Sequence, residues 1–354
     1  MTKQNNIYCE IVFWLLLLIL CYTGCSSILK DQSTDKPEVV RIIFDTDMGS
    51  DCDDAGALAL LHSYADLGKA EIVGCIYSSG KVPYGAGVVQ AINIYRGRPD
   101  VAVGAVHDTI VGDPVDKMNA EKLASDKAAF NNTIVHNREA PDQTTLTRQL
   151  LSGQEDNSVV YVTLGHTKGL HDLLISEPDD ISSLNGEELI EKKVKRWIAL
   201  GALGANNDTA RYHKDWNFFF NGTAPYTKYL LDHFPSEIHF VDAGADVMTG
   251  ASLTNTQPGN IVRTAYSEWL WGVEKKSLQD QRPSWDLATI YYAVEGEGKF
   301  LKNIGKGRLE FDVEKGCKWR QHSNGTNQYL IVQRQGVKDA FADYLNAMMV
   351  EGER

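Results

Sequence analysis

The chain has 354 residues, 43% hydrophobic and 23% charged, a balance ordinary for a globular protein able to bury one large core or two modest ones. Its 47 acidic residues against 35 basic ones give a formal net charge of −12, and no basic run interrupts them, which excludes a nucleic-acid backbone as partner. Acidic residues gathered at one point suit a cation site instead.

Residues Ile11 to Cys21 form an apolar run of about 11, short for a bilayer span and typical of a signal-peptide core. The run ends in Thr23-Gly24-Cys25-Ser26, which resembles a bacterial lipobox, in which a small residue precedes a cysteine that becomes acylated. The expectation is a lipoprotein-type signal over 1–24, a polar flexible tether over 25–36, and a folded domain over 37–354. The protein would then be exported and lipid-anchored at the periplasm or cell surface. An ordinary cleaved signal and a lone membrane-spanning anchor are the other readings. Cys52, Cys75 and Cys317 remain outside the leader, an odd number without paired spacing, and read as small buried hydrophobes.

The fold begins at Val39-Val40-Arg41-Ile42-Ile43-Phe44, a β-branched run of the buried-strand type. Ala55 to Tyr64 carries Ala and Leu at helical spacing, Glu71 to Tyr77 is a strand, and Tyr84 to Tyr95 is helical again. Val101–Val103, Val159–Leu164, Trp197–Leu200 and Ile238–Val241 are further short strands with helical stretches between them. Alternation of this kind predicts an α/β fold: a mostly parallel, Rossmann-like sheet covered by helices on both faces. A polar stretch from about 105 to 143 reads as a lid or binding loop. Toward the C-terminus, 308–313 and 328–332 suggest a small β-hairpin, and a last helix runs from about Val337 to Met349.

The segment Asp45-Thr46-Asp47-Met48-Gly49-Ser50-Asp51-Cys52-Asp53-Asp54-Ala55 places five carboxylates directly after a strand and before a helix. Ligands of open α/β sheets bind at the carboxyl ends of strands. Carboxylates packed this closely repel one another unless a cation neutralises them, and oxygen ligands favour calcium or magnesium over zinc. A solvated acidic turn capping the helix is the plainer alternative. A strand followed by Asp-X-Asp also opens haloacid-dehalogenase-type phosphatases, with Asp45 as nucleophile and Asp47 as acid/base, but Met48-Gly49 departs from their pattern.

The same segment resembles the signature of inosine–uridine-type nucleoside hydrolases, Asp-X-Asp-Pro-Gly-X-Asp-Asp-Ala, matched by Asp45, Asp47, Gly49, Asp53, Asp54 and Ala55 with two extra residues and with Met48 for the proline. Asp215-Trp216-Asn217-Phe218 is similar to that family's Glu-Phe-Asn, and Trp285-Asp286 stands where its His-Asp is found. The resemblance implies the nucleoside hydrolase fold over roughly 39–349. It implies a calcium ion held by Asp47, Asp54, Asp286 and a strand-end carbonyl at Leu164 or its neighbour Thr163. It further implies a small nucleoside-like substrate, Asp47 as general base, and Asp53, Asp215 and Asn217 on the sugar hydroxyls. The reaction would be hydrolysis of an N-glycosidic bond to ribose and free base. Similar hydrolases assemble as homodimers or homotetramers.

Three further positions depart from the pattern. Trp285 replaces the His that serves the leaving group; it cannot serve as a general acid, and stacking on a base and plain core packing are its two readings. Lys81 stands where an Asn commonly meets the ribose, and a lysine donates hydrogen bonds without accepting them. Asp215 is shorter than the usual Glu. A replacement acid is sought among His107, His136 and His213. A ribosyl-binding lipoprotein that has lost turnover is the rival reading.

Overall fold

A strand of consecutive apolar residues needs cover on both faces, and that requirement shapes the centre of the molecule. In β1 (Val40–Thr46), Ile42 and Phe44 join one hydrophobic cluster while Ile43 joins a second on the opposite side, as the two-residue period of a strand dictates. The computed structural model describes residues 38–203, 208–321 and 326–352. The expected leader, Cys25 and the tether lie outside them. No helix among the described residues is long and apolar enough to cross a membrane.

From β1 the chain passes through helix α1 (Asp53–Asp66) to β2 (Ala70–Tyr77), and then by way of a helix over Gly85–Tyr95 to β3 (Val103–Ala105). The strands β4 (Val159–Thr163), β5 (Val194–Leu200) and β6 (Glu237–Asp242) follow, with helices between them, and then a two-residue ladder of β7 (Met248–Thr249) with β8 (Arg282–Pro283). Helix α2 (Trp285–Glu295), strands β9 (Leu301–Asp312), β10 (Gly316–Gln321) and β11 (Gln328–Gln333), and helix α3 (Lys338–Met349) complete the chain. The main sheet has nine strands in the order β10-β9-β11-β6-β5-β4-β1-β2-β3. From β11 to β3 the pairing is parallel throughout.

The α/β expectation holds, with three local differences. The third strand begins at Val103, where its register opposite Cys75 starts, rather than at Val101. The C-terminal hairpin is formed by β9 and β10, with Asp312 opposite Gly316, while β11 takes the other edge of β9 and also pairs with β6. Leu330 and Ile331 are both fully buried, so β11 must lie within the sheet and not at a two-stranded margin. The stretch from 105 to 143 is no free lid. It carries short helical turns at Ala120–Ser125 and Lys127–Phe130 and buries Met118, Leu123, Phe130 and Ile134 in the core.

Helix α1 is buried on every side from Asp53 to Tyr64 and packs against α2 and α3. A helix apolar all round belongs inside a layer, and its acidic N-terminus is therefore carried into the interior with it. Cys52, Cys75 and Cys317 are buried and unpaired.

Candidate active site

Parallel strands deliver their carboxyl ends to one edge of the sheet, and the site is built there. The segment after β1 supplies Asp47, Ser50 and Asp51, and the first turn of α1 supplies Asp53 and Asp54. The turn passes through Gly49 at φ 116°, a conformation that an L side chain rarely adopts. The end of β4 comes so close that a Cβ on Gly165 would lie 2.6 Å from the Cβ of Asp47. Asp286 arrives in the first turn of α2, and its backbone N–H reaches Asp53 Oδ2 at 3.5 Å.

Oxygens of Asp51, Asp54 and Asp286 lie within 4.8 Å of one another. Thr46 Oγ1 donates to Asp54 Oδ1, but Asp54 Oδ2 and Asp286 Oδ2 are buried without a hydrogen-bond partner. Burial, reinforced by the surrounding carboxylates, pushes both acids well above the usual range. Asp47 is raised to about 8 by burial and then by Asp51. Buried carboxylates cannot all stay charged together in a poorly solvating interior, so they either keep protons or accept a cation. Two buried acids with an unpartnered oxygen each, in a group of three whose oxygens lie within 4.8 Å, fit a hard divalent cation.

This has a measurable consequence. An unfolded aspartate loses its proton near 3.8, while folded Asp47 keeps its own to about 8. Between those values the folded, metal-free protein binds more protons than the unfolded chain, so its stability falls as pH rises from about 4 to about 8. A bound divalent cation takes the place of those protons. Calcium is expected to raise Tm more at pH 8 than at pH 5; an equal shift at both values, measured by thermal scanning, would count against a cation among these acids.

A cation is already present in the form of Arg282. The residue is 3% exposed, and its guanidinium lies 3.1 Å from Asp51 Oδ2 and 2.8 Å from Asp53 Oδ1. It is also sandwiched between the rings of Trp269 and Trp285, at 4.2 and 5.4 Å. Asp53, expected to grip the sugar, is thus engaged by an arginine 229 positions further along the chain (282 against 53). No spacing in the sequence foretold this.

The expected site residues fall into three groups. Asp47, Asp53, Leu164, Asp215, Asn217, Trp285 and Asp286 line one cavity of about 470 Å³, and Asp54 is buried among them in the acid cluster. Leu164 and Asn217 are bonded to each other, with the Asn217 amide donating to the Leu164 carbonyl at 2.7 Å, which leaves that oxygen a second lone pair. Asp215 caps a short helical turn, accepting from the N–H groups of Asn217 at 2.9 Å and Phe218 at 3.1 Å; burial raises its pKa to about 6. Lys81 stands apart from the cavity lining and donates to the Asn221 carbonyl at 3.3 Å.

None of the three candidate histidines lines the cavity. His107 reaches the Ala140 carbonyl, His136 caps the turn at Asn137–Glu139, and His213 reaches the Asp208 carbonyl. The histidine beside the acids is His166, fully buried, with Nδ1 at 3.3 Å from Asp47 Oδ2; burial lowers its pKa to about 4, so it is neutral. Its place just past the end of β4 is the signal that could have pointed to it. Asp45, the nucleophile of the phosphatase reading, is fully buried outside the cavity and accepts hydrogen bonds from Ser78 and Tyr161.

No protein-family profile matches the chain, and no curated protein sequence matches it. Solved structures do. An inosine-uridine preferring nucleoside hydrolase from Bacillus anthracis superposes with a TM-score of 0.61 at 14% identity, covering 88% of this chain and 99% of that one. A plant nucleoside hydrolase, PpNRh1, gives 0.60 at 16% identity, covering 89% and 100%. The type III effector XopQ, solved in complex with adenosine diphosphate ribose, gives 0.61 at 12% identity, covering 89% and 95%. At such identities the likeness speaks for architecture alone, and it does so over nearly the whole length of each partner: the chain has the nucleoside hydrolase fold.

Proposed function

We propose that the protein hydrolyses the N-glycosidic bond of a ribonucleoside or related ribosyl compound, releasing ribose and free base, with calcium as its metal ion. The reading is carried by the meeting of the β1 acids with Asp286 at one edge of the sheet, where two carboxylate oxygens lack partners. The structural neighbours, an inosine-uridine preferring nucleoside hydrolase among them, support the same substrate class.

Asp54 and Asp286 would hold the ion, with Asp51 or Asp47 and the Leu164 carbonyl completing the set. When bound, it would orient the sugar hydroxyls and acidify a water beside the anomeric carbon. Asp47 would serve as the general base toward the attacking water. Its carboxylate is held by the Ser50 hydroxyl, 3.2 Å from Oδ2, while His166 Nδ1 lies 3.3 Å from the same oxygen without a hydrogen-bond partner of its own. Asn217, Asp215 and Asp53 lie around the space left for the sugar. The ring of carboxylates stabilises the positive charge that develops on the ribose. Trp285 stacks on the leaving base, worth about 1 to 3 kcal/mol by the usual scale of base–aromatic contacts.

The second reading, a ribosyl-binding protein without turnover, is favoured by Arg282 on Asp53 and by the absence of a histidine from the described residues that line the cavity. A nitrophenyl riboside separates the two, because its leaving group needs no protonation. Calcium-dependent release of nitrophenolate, abolished by chelator, is expected. Tight riboside binding with no release from any substrate would establish the receptor reading instead. We also propose export and acylation at Cys25, tested by palmitate labelling of the wild type against Cys25→Ser.

A further inference from the structure

The cleft does not end at Trp285. Trp285 lines both the 470 Å³ cavity and a second cavity of about 680 Å³, and Asp242 is likewise shared by both. The second cavity opens where β6 and β11 end. These two strands are parallel to β5 and follow it along the sheet, so both cavities sit on the carboxyl edge where such sheets take their ligands. Small residues make the room: Ala243, Gly244, Ala245 and Gly336 line it. Gln333 holds the walls together, accepting from the Gly244 N–H at 3.4 Å and donating to Asp246 Oδ1 at 2.9 Å.

The first cavity alone is within the usual size of a small-molecule site, and the second is larger still. Its walls combine an indole, amides and charges of both signs, with Arg334 and Lys338 against Asp246 and Asp339. Such a lining suits a flat, hydrogen-bonding, uncharged group. It is too polar for an acyl chain and too evenly charged for a bare anion.

We propose that the substrate is a two-part ribosyl compound. One ribose seats among the β1 acids, and a second nucleobase-like or glycosyl group lies across Trp285 in the cavity between the ends of β6 and β11. The proposal rests on the ribosyl reading above and names the substrate class for that site.

Adenosine diphosphate ribose, which joins a ribose to an adenosine through a diphosphate, is a suitable probe, with ribose 5-phosphate and inosine as one-lobed controls. Titration calorimetry of the calcium-loaded protein is expected to give an affinity for the two-lobed compound at least about tenfold above either control. Ala245→Phe and Gln335→Trp each place bulk in the second cavity alone, and Gln335 is exposed, so its replacement leaves folding intact. Each variant should weaken adenosine diphosphate ribose about tenfold and leave inosine within about twofold. Equal affinities for all three compounds, or equal weakening of all three in both variants, overturns the proposal. If the two-lobed compound binds as expected while no riboside is cleaved, the hydrolase reading fails and the extended cleft stands. If nucleosides are cleaved but the second lobe adds nothing, the extended cleft fails alone.

Discussion

Asp47→Asn is expected to lower riboside turnover about 10³-fold, the central loss for removal of a positioned general base. The carboxamide keeps the shape and the Ser50 contact but cannot take a proton at neutral pH. Structural damage is not the expected cause. Asp47 is a buried acid whose pKa is raised to about 8 by burial and by Asp51, so an uncharged amide relieves repulsion in the metal-free protein. The variant should therefore melt at or above the wild-type Tm in chelator while losing activity in calcium. Turnover within about tenfold of wild type would remove Asp47 from the reaction, whatever else the site does.

Arg282→Met should destabilise the metal-free protein by about 3 to 5 kcal/mol, the range for removing one partner from a buried ion pair. The methionine retains much of the packing between Trp269 and Trp285 but leaves Asp51 and Asp53 without their counter-charge. Calcium should recover part of the loss, because Asp51 also belongs to the group that can hold a cation. Denaturant midpoints with and without calcium measure both quantities. A loss below about 1 kcal/mol in chelator would mean that protons already neutralise these acids. A loss that calcium leaves unchanged would detach Arg282 from the acid site.

These two residues differ in how they could be found. Asp47 was legible because local order suffices: a buried β-branched strand, then acids, then a helix, all within the span Val40–Asp66. Arg282 was not. Its role depends on the β8 segment folding back over the α1 N-terminus, a contact between residues 231 apart for Asp51, and nothing in an arginine's neighbours announces which distant carboxylate it will meet. The histidines fail for the same reason. His107, His136 and His213 are candidates by residue type, yet each is drawn into a backbone contact outside the cavity, for His107 with a carbonyl 33 residues along the chain. His166 carries no signal in the sequence beyond its place after β4, where a carbonyl ligand needs no particular side chain.

Alternation of apolar strands and helices settled the α/β class, the parallel sheet and the edge on which the acids would gather, because those follow from short-range periodicity and from the need to cover both faces of a strand. The packed state of 105–143 and the placement of β11 inside the sheet came only with tertiary structure, since burial there is set by neighbours far along the chain. So did the guanidinium set among the aspartates and the second cavity beyond Trp285. Charge neutralisation and cavity shape are properties of groups brought together from several strands, and a linear order of residues carries neither until the chain closes around them.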